Sequence, residues 1–319
     1  MTTFLHQRFK DNLIDTLNLI NGSSMLLAIS GGQDSLCMLR LFLDISKEYT
    51  FKLGIIHVDH QWRNDGTQNT AHMIKLLNIS KIDAYFFQIN PIYYSELEAR
   101  AIRYQLFIQT AISHKYQEIV TAHSSTDQAE TCFQNIIRGS SIDGLNSLRW
   151  HRQLDQQIRL IRPILNFTRS EIGWFCRYFS LPVWTDPTNT IYLYQRNRIR
   201  HELIPYIQSF LRGNLEQQIS NFLGKTDLDC EYLRQNTVKI YQDIRHPNLA
   251  AINILRLRHQ HMALQIRVLM LFYLYHTNQS PPYSIIGQIL LHIKKKQSVG
   301  IVYNGIVSES HAQWLYIRL

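Results

Sequence analysis

The 319-residue chain holds only four cysteines, and Cys37, Cys132, Cys176 and Cys230 lie far apart with no C-x-x-C pair. Neither a zinc site nor a redox pair is indicated, and a reducing compartment fits best. Long apolar runs are also lacking. The densest, Val268 to Tyr275, stops well short of the eighteen or so residues that a membrane helix needs. The first residues carry Asp11 and Asp15 among scattered apolar positions, so no signal peptide is expected. Alanine is scarce, 12 against 39 isoleucines, which is the bias of an AT-rich genome. There is no internal repeat and no low-complexity tract.

Acidic residues are the minority charge. Twenty-four Asp and Glu against 33 Lys and Arg leave a net charge of +9, which favours a polyanionic partner. The excess is uneven: Arg149 to Arg177 contains six arginines against Asp155 and Glu171, and Arg196, Arg198 and Arg200 follow. A solvated basic surface would explain such a stretch, but arginine in preference to lysine points to phosphate, which its planar fork grips bidentately.

At this length two domains are expected. The first half alternates short apolar runs with helical spacing, the pattern of a parallel α/β sheet. Strands are expected at Met25–Ile29, Gly54–Val58, Ala84–Ile89, Glu118–Ala122 and Ile158–Arg162. Helices are expected at Ser35–Leu43, Gln68–Leu77, Glu96–His114, Asp127–Arg138 and Arg169–Phe179. After Pro205 the rhythm changes. Leu215 to Ile244 reads as a polar helix, Leu255–Tyr275 and Tyr283–Lys295 as further helices, and Gly300–Leu319 as a hairpin. The division is residues 1–210 as a catalytic domain, 211–245 as a helical linker and 246–319 as a smaller, mainly helical C-terminal domain.

The first strand runs directly into Ser30-Gly31-Gly32-Gln33-Asp34-Ser35 and then a helix. Adjacent glycines admit positive φ and let backbone N–H groups approach an anion. The helix N-terminus behind them adds partial positive charge, so phosphate is the natural ligand. A plain strand-to-helix turn capped by Ser30 or Asp34 is the alternative. The mononucleotide and dinucleotide glycine motifs are both absent. A carboxylate at Asp34 inside an anion loop needs a divalent cation between itself and the phosphates.

These six residues resemble the SGGxDS element of the PP-loop ATP pyrophosphatases, which cleave ATP to AMP and pyrophosphate. Further motifs resemble the lysidine synthetase family within that group. They are His57-Val58-Asp59-His60 with Arg63, Glu98-Ala99-Arg100 with Arg103-Tyr104, and Thr121-Ala122-His123 with Asp127-Gln128-Ala129-Glu130-Thr131. Arg138-Gly139-Ser140, Gly144-Leu145, Arg162-Pro163-Ile164-Leu165, Asp186-Pro187-Thr188-Asn189 and Arg196-Asn197-Arg198-Ile199-Arg200 continue the series to about Pro205. The chain departs from the family pattern at Ser124, where a second histidine is usual, and at Thr126, where a first aspartate is usual. Those departures resemble the cyanobacterial and plastid branch.

The resemblance implies a PP-loop α/β fold and a two-step reaction. A wobble cytidine in tRNA(Ile) with a CAU anticodon is adenylated by ATP, and the amine of free L-lysine then displaces AMP. It assigns Ser30, Gly31, Gly32, Gln33, Asp34, Ser35 and His57 to ATP, Asp34 also to Mg²⁺, and Asp34, Asp127 and Arg196 to catalysis. Arg138, Arg198 and Arg200 are assigned to tRNA, with Arg196, Arg198 and Arg200 interchangeable between phosphate charge and the RNA backbone. Arg256, Arg258, Arg267 and Lys294-Lys295-Lys296 are the expected RNA contacts of the C-terminal domain. The rivals are a PP-loop tRNA thiolase, for which the scattered cysteines are a poor match, a small-molecule amide synthetase, and a catalytically inactive RNA-binding relative. With the isoleucine bias, the resemblance places the chain in the chloroplast stroma as a plastid-encoded protein, or else in a bacterial cytoplasm.

Overall fold

The computed structural model describes the chain except residues 1, 20, 60, 62–65, 79–81, 90–95, 185–194, 211–212 and 319, with backbone alone at 96 and 97. His60, Arg63 and Asp186–Asn189 therefore lie outside the described residues. Two compact units divide at Gly224 and Lys225.

In the first unit, β1 (Ser24–Ala28), α2 (Gln33–Ile45), β2 (Lys52–Asp59), α3 (Gly66–Leu77), β3 (Asp83–Gln88), α4 (Glu96–His114), β4 (Glu118–Thr121) and α5 (Ser125–Ile137) alternate regularly. A short α6 (Ile142–Leu145), β5 (His151–Gln153), β6 (Arg159–Ile161) and α7 (Arg169–Tyr178) complete the layer structure, preceded by α1 (Phe4–Asp11). The sheet order is β3-β2-β1-β4-β6-β5, parallel throughout except for the edge strand β5. The central strands are buried on both faces, which is why they read as continuous apolar runs. Met25, Leu27 and Ile55 enter one core with Leu41, Phe42 and Phe175, while Leu26, Ile56 and Ile119 enter a second beneath α4 with Phe107.

The five expected strands and five expected helices of this half are all present. The sequence reading missed α1 and β5, as well as the four-residue α6. The first is held by tertiary packing, with Leu5 and Phe9 fully buried and the Phe9 ring edge-on to Phe42 at 4.9 Å. The second is three exposed polar residues placed only by pairing with β6.

The chain order reverses between β1 and β4. From β1 it winds outward through β2 and β3, and later through β4 and β6 on the other side. The loops leaving β1 and β4 therefore diverge and leave a crevice at their carboxyl ends, where ligands of such sheets collect. After α7 come α8 (Gln195–Arg198), a π-helical turn (Ile199–Leu203), α9 (Ile204–Phe210) and α10 (Leu215–Ile244), the last spanning the division between units.

The second unit contains β7 (Ala251–Asn253), α11 (Ile254–Arg258), α12 (Met262–Thr277), α13 (Tyr283–Lys295), β8 (Gly300–Tyr303), β9 (Ile306–His311) and β10 (Trp314–Arg318). The strands form an antiparallel sheet in the order β7-β10-β9-β8. Leu269, Phe272, Ile286, Ile289 and Leu315 are central to its core. Two expectations change here. The helix expected over Leu255–Tyr275 is broken at 259–261, where His261 caps α12 by accepting the Ala263 N–H at 3.2 Å. The expected hairpin is a three-stranded meander. Its first turn uses Asn304 and Gly305 at positive φ, a recognisable signal, but the second uses Ala312 at φ 51°, a residue with no turn preference. Among the described residues, no helix is long and apolar enough to cross a membrane.

Candidate active site

The loop leaving β1 is a self-braced turn. The Ser30 N–H donates to Ser35 Oγ at 3.3 Å, and Ser35 Oγ donates to the Gly32 carbonyl at 2.9 Å. Asn69, on α3, donates through Nδ2 to the Ser30 carbonyl at 3.0 Å. Gly31 adopts φ +87°, and a Cβ there would stand 2.5 Å from Asn69 Oδ1. The glycine is thus needed twice, for its dihedral and for the close approach of α3. Gly31→Ala should destabilise the protein by about 1–2 kcal/mol from the dihedral alone, and weaken ATP binding by distorting the loop. Thermal unfolding of Gly31→Ala and of Gly31→Ala with Asn69→Ala would check this. Full recovery in the double variant would show that the contact, and not the dihedral, is what matters.

Helix α2 begins at Gln33 with Gly32 as its N-cap and no side-chain cap, which leaves its first N–H groups facing the crevice. Asp34 sits in that first turn. Burial is the largest influence on its carboxyl, with the charge of Asp127 next, and together they raise its pKa to about 6 against the opposing pull of Arg169 and Arg200. Behind the loop, Cys176 donates to the Gln33 carbonyl at 3.4 Å, and its hydrogen bond with Cys37, together with burial, pushes the Cys37 thiol up. Two cysteines 139 positions apart therefore meet as buried, unreactive packing groups.

Opposite lies the start of α5. Ser124 is its N-cap in a reciprocal capping box: the Ser124 N–H donates to Asp127 Oδ2 at 3.0 Å. Asp127 and Glu130, one turn apart on α5, face Arg196 and Arg200, one turn apart on α8 and the π-helical turn. Arg196 donates to Asp127 at 2.6 Å and to Glu130 at 2.7 Å. Arg200 donates to Glu130 through both Nε and Nη2, the latter at 3.0 Å, and lies 3.6 Å from Asp127. Two carboxylates thus balance two guanidinium groups, with Glu130 fully buried. Burial pushes the Asp127 carboxyl up, yet Arg196, the Ser124 N–H and Arg200 outweigh it and hold the group below its ordinary value.

The departure at Thr126 has a structural partner. Thr126 Oγ1 donates to Glu216 Oε1 at 2.9 Å, and Ser125 Oγ reaches Glu216 Oε2 at 3.4 Å. Glu216 is itself buried, and an aspartate at 126 would set a second carboxylate against it.

A cavity of about 610 Å³ opens between these two sides. Ser30, Gly32, Gln33, Asp34, Ser35 and Arg200 of the sequence-assigned groups line it, and so do Arg103, Tyr104, His123, Arg169 and Trp184, which the sequence reading did not assign. Asp127 and Arg196 stand behind the wall and reach it through Arg200. His57 is not brought to the cavity. It is buried, its Nδ1 donates to the Ile29 carbonyl at 2.8 Å, and its Nε2 lies 3.3 Å from Thr70 Oγ1. Burial lowers its pKa, so it pins the end of β1 as a neutral ring. Arg138 caps the far end of α5 and is exposed. Arg198 faces away from its two neighbours and pairs with Glu202 at 3.0 Å on the surface.

A parallel sheet with a glycine turn, an acid at the head of the following helix and a cavity at the switch point defines a PP-loop ATP-utilising domain, and residues 3–207 match the family model described as a PP-loop domain. Over 99% of its length the chain is 38% identical to the chloroplastic tRNA(Ile)-lysidine synthase of Gracilaria tenuistipitata var. liui, covering 99% of that protein. It is 36% identical to the chloroplastic enzyme of the same name from Pyropia yezoensis, over 99% and 96% of the two chains. With the tRNA(Ile)-lysidine synthase of Nostoc sp. it shares 40% identity over 72% of this chain and 68% of that one. The chain belongs to the tRNA(Ile)-lysidine synthase family. Among solved structures, the U34-tRNA thiolase NcsA from Methanococcus maripaludis superposes with a TM-score of 0.59 at 17% identity, covering 70% of this chain and 78% of that one. That likeness is one of fold.

Proposed function

We propose that this protein is the ligase that makes lysidine on tRNA(Ile), using ATP as substrate. One observation carries the reading: in a chain matched end to end by such enzymes, the Ser30–Ser35 loop and the Asp127–Glu130–Arg196–Arg200 cluster meet through Arg200 at one cavity. The pyrophosphate of ATP lies against the loop and the uncapped N-terminus of α2. The C2 carbonyl oxygen of the wobble cytidine attacks the α-phosphorus, the bond to the bridging oxygen breaks, and pyrophosphate leaves. The amine of free lysine then attacks C2, AMP leaves with the oxygen, and the amine gives up a proton. Arg200 and Arg169 stabilise charge building on the phosphate, while Asp127 and Glu130 hold Arg200 in place. His123 stays neutral, its pKa pushed down to about 3 chiefly by burial, so it orients ligands by hydrogen bonding without adding charge.

Magnesium fits the donor set. No group of three or more His, Cys, Asp or Glu side chains suited to a metal occurs among the described residues. Mg²⁺ needs only one or two carboxylates when substrate phosphates supply the rest, and Asp34, held high by burial, is a carboxyl that a cation would return to its charged form. Bound there, the ion would offset negative charge on the phosphates.

The grip on the tRNA also draws on the 246–319 segment, where Lys294, Lys295 and Lys296 are all exposed at the end of α13. Such contacts position the RNA without reading its sequence. The chloroplastic relatives support a plastid home. A thiolase reading is disfavoured because all four cysteines are buried.

Incubated with ATP, Mg²⁺, lysine and CAU-anticodon tRNA(Ile), the protein should release AMP and pyrophosphate and add one lysine to one cytidine. Mass analysis of the digested tRNA would check this. ADP as product, or sulfur in the RNA, would refute the reading.

A further inference from the structure

A second group of arginines, centred on Arg162, lies outside the cavity lining and is linked by charge, through Arg162 and Arg100, to His123. Arg162, at the end of β6, is 3% exposed, and its Nη1 donates to the Arg149 carbonyl at 2.5 Å. Its Nε is buried without a hydrogen-bond partner. Arg100, exposed on α4, lies 5.3 Å over the ring of Tyr104, which lines the cavity and interacts with Arg162. Arg152 is exposed on the edge strand β5. The pKa of Arg162 is lowered by burial and by the like charges of Arg100 and Arg152, with Tyr104 opposing them. The positive charges of Arg162 and Arg100 also act on His123. Among the described residues no carboxylate pairs with any of the three, in contrast to Arg196 and Arg200, which are fully matched by acids.

A buried guanidinium with an unmatched donor, surrounded by its own charge, is costly unless an anion joins it. The nucleotide phosphates already have the Ser30–Ser35 loop with Arg169 and Arg200. Arg100 and Arg152 are exposed to solvent and neither lines the cavity, so a small ligand held inside it would not need them. A base that enters a cavity from a single-stranded loop must leave its stack, and it brings its own backbone to the rim.

We propose that Arg100, Arg152 and Arg162 form a subsite for an RNA backbone phosphate beside the base that reacts, resting on the RNA substrate argued above. Arg162 adds a fixed, buried positive charge behind the subsite, while Arg100 and Arg152, both exposed, contact the phosphate. The subsite positions the target base and discriminates between bases only through loop geometry.

The test is the double variant Arg100→Ala with Arg152→Ala, whose exposed positions leave the fold intact. Binding of a CAU-anticodon tRNA(Ile) transcript is measured against salt concentration, with KM for ATP and for lysine measured at saturating RNA. RNA affinity should fall roughly tenfold to a hundredfold at low salt, and the salt dependence should flatten by about one unit of slope or more. Both KM values should stay unchanged. Wild-type RNA affinity and slope in the variant, beside an active wild type, would overturn the subsite alone. A raised KM for lysine with unchanged RNA binding would likewise overturn it and give the anion to the amino-acid carboxylate. A wild-type protein that neither binds nor modifies this tRNA would overturn both the subsite and the proposed function.

Discussion

Asp34→Asn should yield a protein that is more stable than the wild type and inactive. The folded-state pKa of Asp34, about 6, lies above its ordinary 3.8. The folded chain therefore binds this proton more tightly than the unfolded chain does. Stability from this group is gained as pH falls from above 6 towards 3.8, and at neutral pH the ionised side chain costs up to about 3 kcal/mol. Asparagine removes that cost because it does not ionise. Melting temperature should rise at pH 7.5 in metal-free buffer, and the gap from wild type should shrink at pH 5. Adenylation should fall by a factor reflecting roughly 3 kcal/mol or more of lost transition-state stabilisation, while tRNA binding persists. For the wild type, kcat/KM for ATP should decline as pH drops through about 6, where the free carboxyl takes up its proton. Near-normal turnover by the variant, or a lower melting temperature at every pH, would mean that Asp34 only starts the helix.

Glu130→Ala should be among the most damaging single changes in the molecule. This carboxylate is wholly buried and accepts hydrogen bonds from Arg196 and Arg200. Its removal leaves two guanidinium groups to share Asp127 alone. Arg196 is 40% exposed and can turn to water, but Arg200 is only 15% exposed and cannot do so freely. Breaking such a network by deleting one partner costs about 3–5 kcal/mol. Arg200 would also lose the anchor that aims it into the cavity, so turnover should drop about a hundredfold or more among molecules that remain folded. Denaturant unfolding of Glu130→Ala, Arg196→Ala and the double variant would give the coupling between them. Strict additivity of the two losses would contradict the network.

The arginine triplet shows how far the sequence could be read and where it stopped. Arg196, Arg198 and Arg200 looked equivalent while they were treated as a linear run. On a helix, residues four apart share a face and the one between them does not, so Arg196 and Arg200 meet Asp127 and Glu130 while Arg198 faces solvent. The helical reading of 195–203 was the missing step. Glu130 could have been found the same way, three residues after Asp127 on one face of α5. No comparable signal existed for Glu216, whose partners Thr126 and Ser125 lie 90 and 91 positions away. The resemblance gives His57 to ATP, and no local signal shows that its two nitrogens already face the Ile29 carbonyl and Thr70.

By itself, the sequence determined the alternation of strand and helix in the first unit, the phosphate-binding turn with its acid, and the family, because these depend on local periodicity, backbone freedom at glycine and the order of motifs. The tertiary structure decided which charges neutralise one another, which arginines meet no carboxylate among the described residues, and why Asp34 resists ionisation. Those are properties of distance and desolvation between segments remote in the chain, and a one-dimensional string carries neither.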